Sequence, residues 1–255
     1  MKLIDTISEL RAAPRTGPVG LVPTMGALHA GHAALFRAAR AECGFVVASL
    51  FLNPAQFSEV ADLEAYPRDI VEDAAFAGEH GVDLLFAPSV EELYPPRFAS
   101  WVEPGGVAVG LEGDRPGHFR GVATVCLKLF NIVRPDRAYF GRKDAQQVAV
   151  IKQLVRDLDL QIEIRDVPTV RDTDGLALSS RNVRLSPAER TRALAIPRAL
   201  ATRDPAGARA ILTEAGIDPD YVAVADLDGP TLAIAAQVGP ARLIDNVLLE
   251  GDDEL

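Results

Sequence analysis

The stretch Leu21–His32, LVPTMGALHAGH, sets two imidazoles three residues apart behind a short apolar run and a glycine-containing turn. Val22 lies at the end of the apolar run, while Gly26 and Gly31 let the backbone turn tightly and come close to a ligand. His29 and His32 then share one face near the start of the helix that follows. Free backbone N–H groups and the helix dipole at such a terminus attract anions. Two imidazoles add to that attraction when a neighbouring polyphosphate favours their protonated forms. The chemistry on offer is phosphate binding. Spacing alone fits a phosphate site and a structural turn equally. No HExxH run or partnering cysteine cluster makes the pair half of a zinc site.

A phosphate site of this kind belongs beyond the carboxyl end of a strand in a parallel sheet, where a loop enters a helix. The flanking sequence predicts that setting. VGLVP, FVVASLFL, VDLLFAP, DRAYFG and LQIEIRDVP read as strands. Between them HAALFRAARAEC, IVEDAAFAGEH, GVATVCLKLFNIV and DAQQVAVIKQLVRDL read as helices, with Arg37, Arg40 and Glu42 turned to water on the first. NPAQFSEVADLEAYPRD reads as a polar loop. The alternation predicts an α/β fold, a Rossmann-like, doubly wound parallel sheet over residues 1–171.

Beyond Arg171 the pattern changes. The polar segment DTDGLALSSRNVRLSP leads into a helical run, AERTRALAIPRALATR. YVAVADL, TLAIAAQV and ARLIDNVLL then follow too closely to hold parallel crossovers, which predicts a short antiparallel sheet. Residues 172–255 are therefore expected to form a smaller C-terminal α+β domain ending in a frayed acidic tail, EGDDEL.

The chain of 255 residues has 36 acidic against 26 basic side chains, a net charge of −10 that disfavours nonspecific binding to nucleic acid or an anionic membrane. Its apolar runs fall well short of the roughly 20 residues that span a bilayer, and Asp5 and Glu9 interrupt any signal-peptide core. Cys43 and Cys126 sit in apolar segments and read as buried thiols. A cytoplasmic protein with no nucleic-acid or membrane partner is expected.

His-x-Gly-His after a first strand resembles the signature of the nucleotidylyl-transferase superfamily, which includes the class I aminoacyl-tRNA synthetase domains. Members add a mobile basic loop far downstream, and LALSSRN (176–182) stands where a variant of that loop would. Five segments in order, PTMGALHAGH, FLNPAQF, GHFRGVATV, YFGRKDAQQ and PTVRDTDGLALSSRN, closely resemble the pantoate–β-alanine ligase family from about Leu3 to Leu249.

That resemblance implies an ATP site lined by Met25, Gly26, Ala27, Leu28, His29, Ala30, Gly31 and His32, with His32 as proton donor. It adds Gly141, Arg142, Lys143 and Asp144, then Val170, and then Leu178, Ser179, Ser180 and Arg181, as nucleotide contacts. Gln56 and Gln147 are implied to hold pantoate, with Gln56 also near β-alanine. Neutral amides suit a small dihydroxy acid, since they bond hydroxyls and carboxylate without a buried charge to compensate. Lys143 and Arg181 match the charge that develops as pyrophosphate leaves. Asp144 either bonds the ribose or caps the helix beginning at Ala145.

The implied reaction is ATP-dependent condensation of pantoate with β-alanine through a pantoyl adenylate. Mg²⁺ would accompany ATP, held by phosphates and water with no protein ligand, and the protein would be a homodimer. No Gly-x-Ser-x-Gly elbow or reactive-cysteine setting offers a nucleophile. The C-terminal domain, expected to act as a lid, is shorter than the family's in its helical stretch and strand connection. Asp172–Gly175, polar and glycine-containing, reads as its mobile connection. Other nucleotidylyl transferases need not share Gln56 and Gln147. A silent nucleotide-binding regulator has little use for the Ser-Ser-Arg loop, and a tRNA-charging enzyme would need an anticodon-binding module that the chain lacks.

Overall fold

In the computed structural model, which describes residues 1–58 and 60–250, the short apolar runs become parallel strands. They are β1 (Lys2–Ile4), β2 (Val19–Thr24), β3 (Phe45–Leu50), β4 (Leu84–Phe86), β5 (Arg137–Gly141) and β6 (Glu163–Val167). Their spatial order is β1-β4-β3-β2-β5-β6, every pair parallel. The winding direction reverses between neighbours β2 and β5, and in such sheets ligands gather outside the carboxyl ends at that reversal. These two strand ends carry Met25–His32 and Gly141.

The helices up to the second sheet's approach are α1 (Ile7–Ala12), α2 (Ala30–Glu42), α3 (Val60–Glu64), α4 (Ile70–Glu79), α5 (Val90–Leu93), α6 (His118–Val133) and α7 (Ala145–Asp157). Helix α2 buries Ala33, Leu35, Phe36 and Ala39, a stripe at helical spacing, against Val22, Val46, Ala48, Leu85 and Tyr139. Arg37 and Glu42 face water as expected, but Arg40 is half-buried and pairs with Asp83 at 2.7 Å. The loop expected after β3 contains a 3-10 turn at Pro54–Gln56 and the short α3. Cys43 and Cys126 are buried and unpaired by disulfide, and burial pushes the Cys126 thiol up to about 12.

The chain divides into two compact units. The first comprises Met1–Gly141 and Val150–Val167; the second takes Arg142–Ala149 and the chain from Pro168 onward. Segment 142–149, which the sequence grouped with the first domain, thus clusters with the second. Helix α7 is divided between them.

In the second unit α8 (Pro187–Ala193), α9 (Ala195–Ala201) and α10 (Pro205–Glu214) precede β7 (Pro219–Asp226), β8 (Pro230–Val238) and β9 (Ala241–Leu248). The three strands form the expected antiparallel sheet with β8 central. Leu176, Ile196, Leu200, Leu212, Leu232, Ile234 and Val247 are among the side chains of its core. One expected helix over 188–203 is in fact two, broken at Leu194. Pro197 has no N–H to give the Ala193 carbonyl, so the ladder fails there.

Asp172–Gly175 is not a loose connection. It is the tip of a hairpin closed by an Arg171–Ala177 bridge, with Gly175 N–H donating to Asp172 O at 2.9 Å. Arg190 clamps it from α8, meeting Asp172 at 2.7 Å and Asp174 at 2.8 Å. Of the acidic tail, residues 251–255 lie outside the described residues. No helix among the described residues is long and apolar enough to cross a membrane.

Candidate active site

The first half of the site begins where β2 ends. Thr24 Oγ1 donates to the Ser49 carbonyl at 2.7 Å, fixing the strand end. Gly26 (φ +94°) and Ala27 (φ +52°) then turn the chain through two left-handed residues. Ala27 carries a strain of about 1–2 kcal/mol there, because its Cβ crowds the following carbonyl. Asp73 of α4, only 5% exposed, holds that turn: its carboxylate accepts the Ala27 N–H at 3.0 Å and the Leu28 N–H at 2.7 Å. A Cβ at Gly26 would stand 3.0 Å from the same carboxylate.

His29 is the N-cap of α2. Its Nδ1 accepts the Gly31 N–H at 3.1 Å, and His32 Nδ1 accepts the His29 N–H at 3.2 Å. The rings lie 4.2 Å apart, tilted by 50°. This is a capping box built from two imidazoles. Accepting at Nδ1 places each neutral ring's proton at Nε2. The four backbone N–H groups of Ala27, Leu28, His29 and Gly31 are thus bonded internally, so the anion attraction expected of this terminus falls to its remaining N–H groups and the rings.

The segment Asn53–Gln56 lies beside this turn. Asn53, 1% exposed, donates to Gln56 Oε1 at 2.9 Å and to the Gly121 carbonyl at 3.1 Å. Its Oδ1 accepts from the Tyr94 hydroxyl at 3.0 Å and the Ala55 N–H at 3.3 Å. Gln56 is buried, and its Nε2 reaches the Met25 sulfur at 3.2 Å. His118 Nδ1–H donates to the Gln56 carbonyl at 2.9 Å. Only glycine fits at 121, where a Cβ would come within 2.4 Å of the Ala55 carbonyl oxygen. Tyr94 stacks at 5.8 Å on Trp101, which also meets the Phe98 ring edge-on at 5.0 Å and the Arg120 guanidinium, 4.7 Å from the ring centre. Burial raises the Tyr94 phenol above its ordinary range.

The other expected residues lie in the second unit, apart from Gly141, which closes β5. Arg142–Asp144 form a 3-10 turn before α7, with Lys143 Nζ 3.7 Å from Asp144 Oδ1. Gln147 is half-buried, whereas its neighbour Gln146 is buried. Asn246 of β9 donates its side-chain amide to the carbonyls of Arg142 at 3.0 Å and Lys143 at 2.9 Å. Asp245, 3% exposed, accepts both Arg171 guanidinium nitrogens, at 2.7 and 3.2 Å, and the Asn246 N–H at 2.9 Å.

Val170 and Leu178 meet across the hairpin neck, where the Leu178 N–H donates to the Val170 carbonyl at 2.9 Å. Ser179 then caps a 3-10 turn, Ser180–Arg184, by accepting the Arg181 N–H at 3.2 Å. The two expected nucleotide segments of this unit are therefore one hairpin with its following turn. Arg190 holds the Asp174 carboxyl below the usual carboxylate range by hydrogen bonding to it.

Asp73, Asn53, His118, Asp245 and Asn246 were not singled out from the sequence. Each bonds backbone or a polar partner far away in the chain, which no local pattern encodes. The signal present was polarity inside otherwise apolar runs, as in ARLIDNVLL. No group of three or more His, Cys, Asp or Glu side chains among the described residues could hold a metal ion.

The family model for pantoate-beta-alanine ligase matches residues 2–248. A pantothenate synthetase of Roseiflexus castenholzii is 48% identical, covering 98% of this chain and 100% of the relative. One from Corynebacterium glutamicum strain R is 52% identical over 91% of this chain and 93% of its own. The crystal structure of pantothenate synthetase from Thermus thermophilus superposes with a TM-score of 0.91 at 47% identity, covering 98% of this chain and all of that one. The pantoate-beta-alanine ligase of Francisella tularensis, in complex with beta-gamma ATP and beta-alanine, superposes with a TM-score of 0.89 at 36% identity, each chain covered in full.

Proposed function

Since this chain belongs to the pantoate–beta-alanine ligase family, we propose that it condenses pantoate with β-alanine to pantothenate at the expense of ATP. A pantoate carboxylate oxygen attacks the α-phosphorus, the bond to the β-phosphate breaks, and pyrophosphate leaves. The β-alanine nitrogen then attacks the carbonyl of the pantoyl adenylate, AMP leaves, and the amine proton is lost. No enzyme nucleophile is required, so the rate comes from positioning and from charge stabilisation.

The observation that carries this reading is the contact between Gln56 and Met25. It joins a buried amide suited to a hydroxy acid to a half-buried methionine in the turn suited to a nucleotide, within one unit. The Francisella tularensis complex with beta-gamma ATP and beta-alanine supports the same ligand set. In this reading Met25–His32, Gly141, Arg142–Asp144, Val170 and Leu178–Arg181 meet ATP. His32 donates a proton from Nε2 as phosphate charge develops, and Lys143 and Arg181 neutralise the departing pyrophosphate. Gln56 and Gln147 hold pantoate. Mg²⁺ enters with ATP, bound by its phosphates and water; no step here runs through it. A homodimer in the cytoplasm belongs to the same proposal.

The test is isotope exchange. Pantoate alone should support exchange of labelled pyrophosphate into ATP, and other small hydroxy acids should not. Exchange that strictly requires β-alanine would overturn the separate adenylate step.

A further inference from the structure

The segment Arg142–Ala149 follows a strand of the first unit in the chain and yet clusters with the second. Two side-chain hydrogen bonds tie it to β9. Asn246, 7% exposed on β9, spends both side-chain N–H groups on the consecutive carbonyls of Arg142 and Lys143. Its own backbone N–H is held by Asp245, which the Arg171 guanidinium grips with two bonds. Arg171 opens the hairpin that leads to Leu178–Arg181. A continuous chain of bonds thus runs from the Ser-Ser-Arg hairpin through Asp245 and Asn246 to the backbone of the lysine turn, all within one unit.

We propose that Asn246 is a positioning residue for Lys143, setting where its ammonium meets the phosphates by fixing two carbonyls of its turn. The proposal rests on the reading of Lys143 as a nucleotide residue. The chemistry is specific to a donor: two carbonyl oxygens, 3.0 and 2.9 Å from one nitrogen, require an N–H₂ group. A carboxylate of the same shape has no hydrogen to give and repels both. Arg171 and Asp245 orient the strand from which that amide projects, so hairpin and lysine turn share one frame. The two cationic groups assigned to pyrophosphate, Lys143 and Arg181, are then fixed with respect to each other.

The test is a double-mutant cycle on the full-length enzyme, read by pyrophosphate exchange with pantoate and by steady-state kinetics. Asn246→Asp should lower kcat/KM for ATP about 10²-fold, as a displacement near 1 Å does, with KM for β-alanine unchanged. In a Lys143→Ala background the same substitution should cost less than about threefold, because its effect is transmitted through the lysine. Lowering the pH should narrow the gap between Asn246→Asp and wild type, since a protonated carboxyl regains one donor. Equal losses in both backgrounds would overturn the positioning role. If Lys143→Ala alone left the exchange rate intact, the reading of Lys143 would fail instead. Should Asn246→Asp not fold, Asn246→Ser enters the same cycle; its hydroxyl can donate to one carbonyl, and an intermediate loss is expected.

Discussion

The turn after β2 and the turn after β5 are braced in opposite senses. At Gly26–Leu28 a buried carboxylate collects two backbone N–H donors. At Arg142–Lys143 a buried amide supplies two donors to backbone carbonyls. The first brace is an anion beside a site proposed for a polyphosphate, and it takes up donors that could have served the ligand. The second leaves the electrostatics of a lysine turn almost untouched, because a neutral amide brings no charge. Under the proposed reading, the histidine turn contributes shape and a proton, and the lysine turn positive charge. A carboxylate brace at the second turn would offset the Lys143 charge that the proposed reading assigns to the phosphates.

The largest effect should come from the support of the second turn. Asp245 is buried and Arg171 partly buried, with side chains 3% and 13% exposed. Arg171→Leu strands the Asp245 charge, and urea unfolding should show a loss of about 3–5 kcal/mol. A loss below about 1 kcal/mol would mean that the pair is not the frame of the second unit.

His32→Ala tests the other turn. Turnover should fall about 10²–10³-fold, as when one transition-state donor is removed. Loss of its half of the capping box should cost only about 1 kcal/mol in stability. A folded variant of near-normal turnover would remove His32 from the chemistry and leave it a cap.

Asp73→Asn should destabilise by about 1–3 kcal/mol, since the amide oxygen can serve one N–H while its own N–H₂ faces the other. If unfolding and turnover were both unaffected, the carboxylate brace would be incidental, and the contrast between the two turns would collapse.

The smallest effect belongs to the hairpin clamp. Arg190, Asp172 and Asp174 are each about a third exposed, so Arg190→Gln should cost under about 1 kcal/mol at pH 7. The folded Asp174 carboxyl sits below its ordinary 3.8 because Arg190 bonds it. Its contribution is therefore present above that value and lost as pH falls through the folded one. Melting temperatures of wild type and variant should converge below about pH 4; a gap that widened there would reverse the sign.

Much of the sheet was legible in the sequence, because strands such as VGLVP and FVVASL bury continuous apolar runs and their helices carry clear stripes. β1 was missed: three residues with two of them exposed give no pattern to read. α10 was also missed, although Asp204 and Pro205 mark its start as N-cap and first helical residue. The break between α8 and α9 was encoded by Pro197, whose missing N–H outweighs the helix-forming alanines around it. Asp172–Gly175 looked mobile because polar residues and glycine also make tight hairpins; the deciding partner, Arg190, stands in the next helix. The residues expected at the site came from motif order. Asp73 and Asn246 could not, because each acts on a backbone far away in the chain through side-chain groups that solvated residues also carry.

Trp101 gives the histidine turn an optical handle. It is the chain's one tryptophan, half-exposed, stacked on Tyr94 and covered by Arg120. Tyr94 in turn bonds Asn53, the residue that carries Gln56. Emission from that indole is therefore linked through three contacts to the Gln56 amide, the group proposed to hold the acid, with no competing tryptophan signal from elsewhere in the chain. A single fluorophore is thus coupled to one ligand's proposed seat, and binding of the hydroxy acid should change its emission without a label.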